Sequence, residues 1–359
     1  MIEENEFVEL ELGKTVGKKW KVMNKIDEGN CGVIYLVQDT KTKAEAAMKV
    51  EPSNLIGGSV LKMEAQILKR MQGRKFVAQL LSSGKKKERY SYMVMTLFGA
   101  SLSQLFMQCK EEFTVSTQIR LGIQILYSLK QLHEVGYVHR DVKPANFVVG
   151  RKGSEARMLH LLDFGMARRY VTHNKRKAAE IRKPRENALF RGTMKYCSAN
   201  THTQNEQGRP DDLWSMLYML AEMRKELPWS HFIDAYKIGK LKNATTDEEL
   251  LVKCPPQMLL IAKHLRTLDY FKRPDYQLIF DILFKLMEEL NVKYSDPFDW
   301  EVADVSTIQN LPCVLAVSED NVTAVEDDKN QNKDLGSEQL NDNAFPFNVE
   351  DFSRNELGF

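Results

Sequence analysis

The chain has 359 residues, of which 43% are hydrophobic, and a formal net charge of +2. Such a chain can bury a large core divided between two lobes. Its five scattered cysteines argue against a disulfide framework and a zinc site, and its acidic N-terminus and lack of an apolar run of about 18 residues argue against a signal peptide and a membrane span. We expect a globular, intracellular protein that is cytoplasmic, with entry into the nucleus left open.

The charge is unevenly distributed along the chain. Residues 301–359 contain thirteen acidic and three basic residues, a net charge of −10, so residues 1–300 carry +12. A basic body favours anionic substrates or partners. The polar composition of residues 301–359 predicts an acidic, disordered tail.

Alternating apolar and β-branched residues predict strands over residues 20–26, 33–37, 44–51 and 90–95. The first two form a hairpin whose turn contains Gly29 and Gly32. Glycines at such a turn let backbone N–H groups approach phosphate oxygens, although an ordinary hairpin turn is the simpler explanation. The third strand carries Lys49 between apolar neighbours.

Helical spacing predicts a helix that starts after Ser59, with Val60, Met63, Ile67 and Met71 as its apolar stripe and Glu64 off that stripe. A Glu on a helix edge normally forms a weak surface pair. If Glu64 faced Lys49, the pair could position a phosphate. Further helices are predicted over residues 114–135, 211–223, 257–268 and 276–290, and the segment 211–223 is apolar almost all round, as in the interior of a lobe.

The stretch His139-Arg140-Asp141-Val142-Lys143-Pro144-Ala145-Asn146 combines three groups with chemical potential. Asp141 could accept a proton, Lys143 could stabilise negative charge, and Asn146 could ligate a hard cation through its amide oxygen. An apolar run over residues 158–162 reads as a strand that presents Asp163 at its end. Any one of these residues alone is typical of an ordinary loop, but together they indicate a catalytic site.

The order of these features resembles that of the eukaryotic protein kinases over residues 17–300: a glycine-bearing hairpin, Lys49 on a strand, Glu64 on a helix, the His139-Arg140-Asp141 loop and Asp163-Phe164-Gly165. Ser198-Ala199-Asn200 resembles the Ser-Ile-Asn of the casein kinase 1 superfamily. Leu227-Pro228-Trp229 and Ser295-Asp296-Pro297-Phe298-Asp299-Trp300 look like the tau-tubulin kinase branch of that superfamily.

The resemblance implies an α+β, bilobal protein kinase fold. An N-terminal extension (1–16) would precede the kinase domain (17–300), and the acidic tail (301–359) would follow it. The domain would comprise a β-rich N-lobe with one long helix (17–95), a hinge (96–99) and a mainly helical C-lobe (100–300).

The activity implied by the resemblance is transfer of a phosphoryl group from ATP, with Mg²⁺ or alternatively Mn²⁺, to Ser or Thr of proteins. Lys49 would hold the phosphates and Glu64 would hold Lys49, while Asp141 would act as the base and Lys143 would neutralise charge. Asn146 and Asp163 would ligate the metal. The remaining nucleotide-binding residues would be Gly29, Asn30, Cys31, Gly32, Ile34, Ala47, Met95, Thr96, Leu97, Phe98 and Val148.

Casein-kinase-1-like enzymes prefer acidic or already phosphorylated substrates. A basic segment after Asp163 contains candidates to bind such an anion, namely Arg182, Lys183, Arg185, Arg191 and Lys195. Hydroxyls are few there, with Thr172 near the start and Thr193 near the end, so we expect activity without phosphorylation of this segment. The expected partners are proteins with acidic or phosphorylated segments, not nucleic acid or membrane, and the protein is expected to be a monomer.

Two departures leave alternatives open. Asp27 stands where the first glycine of a phosphate-binding loop is usual, and Cys31 stands where an aromatic residue is usual. A pseudokinase scaffold that binds nucleotide with weak or no turnover is the first alternative, and a small-molecule kinase of similar fold is the second.

The acidic tail suggests a mode of regulation. Thr307, Thr323, Ser337 and Ser353 each have an acidic residue three positions earlier. The tail could therefore be an autophosphorylated inhibitor that occupies the basic segment, although such spacing also arises by chance in acidic sequence.

Overall fold

The computed structural model describes residues 8–29, 32–53, 58–87, 89–173, 179–302 and 346–359. Within these residues the N-terminal lobe contains a six-stranded antiparallel sheet in the order β1-β2-β3-β4-β6-β5. Its strands are β1 (Thr15–Val16), β2 (Trp20–Gly29), β3 (Gly32–Asp39), β4 (Glu45–Pro52), β5 (Leu80–Lys86) and β6 (Tyr90–Met95). The sequence predicted four of them. It missed β5, whose alternate residues stay partly exposed and polar, and the two-residue β1.

The two faces of this sheet pack against different cores. One face forms a small core around Trp20, Val22 and Tyr35, and Leu10 packs against it with its backbone N–H donating to the Tyr35 hydroxyl at 2.9 Å. Part of the predicted N-terminal extension therefore covers the sheet, while residues 1–7 lie outside the described residues. The other face, which includes Ala47, joins the main core.

Helix α1 (Val60–Met71) covers that second face. It begins as predicted at Ser59, whose side chain accepts a hydrogen bond from the Lys62 backbone. Of the predicted apolar stripe, Ile67 and Met71 are buried, whereas Val60 and Met63 are only partly buried. The buried face is completed by Leu61, Glu64 and Leu68. Glu64 lies on that buried face, and its charge is tolerated there because a lysine partner is buried with it.

The C-terminal lobe is mainly helical, with α3 and α5 at its centre and α3 packed along α9. Its helices are α2 (Leu102–Gln108), α3 (Val115–Glu134), α4 (Ala199–His202), α5 (Arg209–Glu222), α6 (Ala235–Ala244), α7 (Asp247–Leu250), α8 (Met258–Arg266), α9 (Tyr276–Glu289) and α10 (Asp299–Val302). The predicted α3, α5, α8 and α9 are present. The others are short or largely exposed, which weakens their periodic signal. The predicted α+β class with two lobes is confirmed.

Three short strand pairs carry the loops of the C-terminal lobe. They are β7 (Tyr137–Val138) with β10 (Arg168–Arg169), β8 (Phe147–Val149) with β9 (Leu159–Leu161), and β11 (Val171–His173) with β12 (Ala179–Ile181). The pair β8–β9 positions both chemically promising stretches, since one precedes β8 and the other follows β9. No helix in the described part of the chain is long and apolar enough to cross a bilayer.

The last fourteen residues correct the prediction of a disordered tail. Residues 346–359 pack on the C-terminal lobe, with Phe347 and Phe352 buried. Phe352 stacks on Phe280 of α9 with ring centroids 4.5 Å apart, and Phe347 stacks on Tyr127 of α3 at the same distance. Burial of two aromatic side chains helps to order a segment whose overall composition is polar, because burying each Phe stabilises the packed state by about 1.5–3 kcal/mol. For residues 303–345 the prediction lies outside the described residues.

Candidate active site

A cleft of about 540 Å³ is lined by residues of both lobes. The residues that the sequence assigned to nucleotide binding surround it, with three exceptions: those that line it are Gly32, Ile34, Ala47, Lys49, Met95, Thr96, Leu97, Phe98, Val148 and Asp163. Gly29 ends β2 opposite Gly32. Asn30 and Cys31 lie outside the described residues.

Gly32 is required by the geometry of the hairpin above the cleft. Its φ is +115°, and a Cβ at this position would lie 2.1 Å from the carbonyl oxygen of Val50 on the neighbouring strand. Any side chain would therefore push β3 away from β4. This close approach keeps the sheet compact beside the cleft.

Lys49 joins the two lobes electrostatically. Its Nζ lies 2.9 Å from Glu64 Oε2 and 3.4 Å from Asp163 Oδ1. Burial raises the pKa of Glu64 against the opposing effect of Lys49. Burial also acts to raise the pKa of Asp163, but Lys49 and His139 outweigh it, so this pKa is lowered. Asp163 is therefore held as an anion, the state a cation ligand needs.

The predicted hinge needs one refinement. The backbone N–H of Thr96 donates to the Gln79 carbonyl at 3.1 Å, and the Thr96 hydroxyl accepts from the Gln79 N–H at 2.9 Å. The N–H and the hydroxyl of Thr96 are thus both engaged by Gln79, the residue before β5. We therefore expect Thr96 to meet a base in the cleft through its backbone carbonyl oxygen, with Leu97 and Phe98 as predicted.

A buried aspartate fixes the loop that carries Asp141. Asp212 Oδ2 accepts the His139 N–H at 2.7 Å and Oδ1 accepts the Arg140 N–H at 2.8 Å. Arg140 has a φ of +67°, which is strained for a non-glycine residue and persists because these bonds define it. His133 Nε2 lies 2.9 Å from Asp212 Oδ2. Burial alone would raise the pKa of Asp212, but hydrogen bonding with His133 and the histidine charges lower it.

Three of the functional groups predicted from the sequence, those of Asp141, Lys143 and Asn146, lie together, with Lys143 and Asn146 each within hydrogen-bonding distance of Asp141. Lys143 Nζ lies 2.8 Å from Asp141 Oδ2, and the Asn146 amide nitrogen donates to the Asp141 carbonyl at 2.8 Å. Thr193 links them, because its hydroxyl donates to Asp141 Oδ1 at 2.7 Å and accepts from Lys143 Nζ at 3.2 Å. From the sequence, Thr193 was identified only as a possible phosphorylation site. This bridge was not predicted, because its partners lie about 50 residues away in the chain.

Gly192 explains how Thr193 reaches this position. Its φ is +113°, and an added Cβ would lie 2.6 Å from the Arg140 carbonyl oxygen. The segment can therefore approach the catalytic loop only with glycine here. The next side chain along the chain, that of Thr193, then falls beside Asp141.

The donor set suits a nucleotide with a divalent cation. Asn146 uses its amide nitrogen within the loop, which leaves the amide oxygen for a cation, and Asp163 supplies a carboxylate. Among the described residues no cluster of three or more His, Cys, Asp or Glu could hold a metal by itself. A hard cation held by only two side chains takes its remaining ligands from phosphate and water. The residues present therefore fit ATP with such a cation.

Asp27 lines the cleft. Its side chain is exposed, and its Oδ1 accepts the following backbone N–H, that of Glu28, at 2.8 Å. The carboxylate is thus partly engaged by its own backbone.

The basic segment is only partly available to an anionic ligand. Arg185 donates to both carboxylate oxygens of Glu206, at 2.6 and 3.0 Å, and Lys195 forms an ion pair with Glu222. The prediction that Arg185 and Lys195 bind substrate anions is weakened by these internal partners, which a linear reading could not see. Arg182, Lys183 and Arg191 are exposed.

The proposed phosphorylation sites of the tail fall in two groups. Thr307, Thr323 and Ser337 lie outside the described residues. Ser353 is exposed, and its hydroxyl donates to the Glu350 carbonyl at 2.9 Å.

Known proteins resemble the chain along most of its length. The protein kinase domain family matches residues 20–284. A putative serine/threonine-protein kinase of Caenorhabditis elegans is 44% identical over 352 residues, which cover 98% of this chain and 97% of that protein. A probable serine/threonine-protein kinase of Dictyostelium discoideum is 37% identical over 81% of this chain and 58% of that protein. An inactive tau-tubulin kinase of C. elegans is 36% identical over 67% of this chain and 86% of that protein.

The matched range contains the cleft, the Lys49–Glu64 pair and the catalytic loop described above. Protein kinases use ATP, a divalent metal ion and protein substrates. The chain belongs to the protein kinase family, and it is a protein kinase.

Proposed function

We propose that this kinase transfers the γ-phosphoryl group of MgATP to Ser or Thr in acidic or already phosphorylated proteins. The observation that carries the proposal is the convergence of Lys49, Glu64, Asp163 and Asp141 on one cleft. MgATP, when bound, supplies the phosphoryl group; Mn²⁺ is an alternative cation.

Each protein group has a defined task in this reaction. Asp141 orients the substrate hydroxyl and accepts its proton. Lys143, 2.8 Å from Asp141, neutralises charge that develops between the two substrates. Asn146 and Asp163 would hold the cation, and Lys49 would hold the phosphates in the position that Glu64 fixes. Catalysis then consists mainly of positioning and charge neutralisation.

The preference for acidic substrates rests on the charge of the body and on three exposed cations. Residues 1–300 carry +12, and Arg182, Lys183 and Arg191 are exposed beyond the catalytic loop. Guanidinium and ammonium groups bind phosphate and carboxylate strongly. We assign these three side chains the leading role, and Arg185 and Lys195 a supporting one.

We further propose that the kinase belongs to the tau-tubulin kinase branch of the casein kinase 1 superfamily. Ser198-Ala199-Asn200 and the segment from Ser295 to Trp300 support this placement. Ser198 has a clear structural purpose, since its hydroxyl donates to buried Asp211 at 2.5 Å and caps α4. The protein is proposed to act in the cytoplasm as a monomer, with nuclear entry left open.

A pseudokinase scaffold is the alternative. One relative is named an inactive kinase, and Asp27 departs from the usual glycine. We favour turnover, because Lys49, Asp141, Asn146 and Asp163 are all present and the Asp27 carboxylate is exposed to solvent and partly engaged by a backbone N–H.

The deciding experiment replaces the catalytic base. The Asp141→Asn variant is expected to lose about 10²- to 10⁴-fold in kcat on an acidic Ser peptide, while MgATP still raises its melting temperature. Asp269→Asn, at an exposed aspartate of the C-terminal lobe, serves as the control and should retain activity. Nucleotide binding without phosphate transfer by the unmodified chain would instead establish the scaffold.

A further inference from the structure

The C-terminal segment, residues 346–359, spans three elements that control a kinase cleft. Its first residue, Pro346, and Glu356 near its other end contact the loop that follows α1. Residues between them contact α3 and α9, and the last residues pack on the core that includes β11. The alignment with the C. elegans relative covers 98% of this chain and continues well beyond residue 284, where the kinase domain match ends. The segment is therefore a candidate for a function of its own.

The loop after α1 is held from both sides. Arg74 donates from both guanidinium nitrogens to the Glu356 carboxylate, with Nη1 at 2.9 Å from Oε1, and Lys75 Nζ donates to the Pro346 carbonyl at 2.9 Å. On the α3 side, Gln131 donates to the Lys75 carbonyl at 2.8 Å. Hydrogen bonding raises the pKa of Arg74 and lowers that of Glu356, as expected for a pair held as ions.

Aromatic contacts reinforce this attachment. Phe76, in the same loop, meets the rings of Tyr127 and Phe347 edge-on at 6.3 and 6.4 Å, and those two rings stack on each other. The Tyr127 hydroxyl donates to Asp351 at 2.9 Å. The loop is thus enclosed by an aromatic cluster to which the C-terminal segment contributes one ring.

Glu134, at the end of α3, anchors the C-terminal half of the segment. Its Oε2 accepts the Glu356 backbone N–H at 2.6 Å and its Oε1 accepts from Arg273 at 3.1 Å. Arg273 in turn donates to the Arg354 carbonyl at 2.9 Å. These bonds hold the backbone of the segment, so its position is specified and does not depend on side-chain burial alone.

The last residues reach the basic segment that follows Asp163. Leu357 and Phe359 pack into the small core formed by Val138, Tyr170 and Val171, to which Ile181 of β12 also belongs. The Tyr170 hydroxyl donates to the His133 carbonyl at 2.8 Å, next to the Asp212 network. The segment therefore contacts both the loop of the helix that carries Glu64 and the hairpin between Asp163 and the substrate cations.

We propose that residues 346–359 are an activating positioning segment, which fastens the loop after α1 and the hairpin β11–β12 to the C-terminal lobe. By fixing the end of α1, the segment holds Glu64 against Lys49. This assignment is opposite in sign to an inhibitory tail for these residues, and none of their described contacts involves Asp141, Lys143, Asn146 or Asp163. The inference rests on the proposed function, because its effect is read in phosphate transfer.

Charge reversal in the full-length chain provides the test. Glu356→Arg and Arg74→Glu are each expected to lower kcat about three- to ten-fold, with KM for the acidic peptide little changed. The double variant, which restores opposite charges, should recover a substantial part of the loss. Glu289→Arg, a matched reversal of a half-exposed glutamate on α9, is the control and should retain full kcat.

Hydrogen exchange on the same proteins separates positioning from general destabilisation. The single variants should lose protection in α1 (Val60–Met71) while α3, α5 and α9 keep theirs. Unchanged or raised kcat in both single variants would overturn the proposal, as would loss of protection throughout the C-terminal lobe. If the unmodified chain transfers no phosphate, the proposed function fails, and exchange in α1 alone then decides whether the segment positions this helix.

Discussion

Thr193 is the residue whose chemical position the sequence concealed most completely. Its hydroxyl lies between Asp141 and Lys143, although it is separated from them by about 50 residues. The hydroxyl both donates and accepts, so it aligns the carboxylate and keeps the ammonium beside it. It also holds the end of the basic segment that follows Asp163 beside the catalytic loop.

Thr193→Val should therefore lower kcat by up to about 30-fold, because Val lacks the hydroxyl that makes two hydrogen bonds of about 1 kcal/mol each, one to Asp141 and one to Lys143. Thr193→Ser retains the hydroxyl and should stay within about two-fold of the unmodified enzyme. The measurement is steady-state phosphate transfer to an acidic Ser peptide. Equal kcat for both variants would show that the hydroxyl is not needed in the active state.

At the scale of elements, Glu206 connects β10 to the residues that follow β12. It forms ion pairs with Arg168 of β10 at 3.2 Å and with Arg185 at 2.6 Å, and its carboxylate is almost fully buried. Burial acts to raise the pKa of Glu206, but the hydrogen bond with Arg185 and the charge of Arg168 lower it below its ordinary 4.5. The ionised carboxylate thus stabilises the fold at neutral pH.

Glu206→Gln is expected to cost about 1–2 kcal/mol of unfolding free energy at pH 7, a value reduced from that of a fully buried pair because Arg185 is partly exposed. A lowered pKa contributes stability above its unfolded value, and that contribution is lost as the pH falls through the folded value. The difference in unfolding free energy between the variant and the unmodified protein should therefore stay constant from pH 7 to about 5 and narrow as the pH falls below 4.5. Denaturant titrations at each pH would measure this difference.

Glu186→Gln offers a matched control for this experiment, because Glu186 is an exposed glutamate of the same segment. The unfolding free energy of Glu186→Gln should differ little from that of the unmodified protein at every pH. If the difference in unfolding free energy caused by Glu206→Gln did not narrow below pH 4.5, the assignment of a stabilising ion pair would be contradicted.

At the scale of the whole molecule, the charge of the body predicts how the kinase selects substrates. Residues 1–300 carry +12, and exposed cations attract acidic peptides over distances set by ionic strength. Raising salt from about 0.05 M to about 0.5 M shortens the screening length from roughly 14 Å to roughly 4 Å. We expect kcat/KM for an acidic peptide to fall several-fold, with little change for a neutral peptide of the same length; equal responses would remove the electrostatic preference.

The C-terminal segment shows where reading composition fails. Thirteen acidic residues in residues 301–359 outweigh Phe347 and Phe352 in any average, and the average predicts disorder. Phe347 and Phe352 nevertheless pack on α3 and α9 and, together with the hydrogen bonds of the segment, order these fourteen residues, because the surface that they bind is formed by the folded lobe. Composition describes the segment alone, whereas its order depends on a surface formed by residues far earlier in the chain.

The sequence by itself determined the class of fold, the order of the main strands and helices, and the identity of Lys49, Glu64, Asp141, Asn146 and Asp163. Local periodicity and short motifs carry that information. The tertiary structure decided which charges are satisfied and which are available: Glu64 faces inward, Arg185 and Lys195 are paired with carboxylates, and Thr193 bridges the catalytic groups. These outcomes depend on contacts between residues far apart in the chain, and no local pattern encodes them.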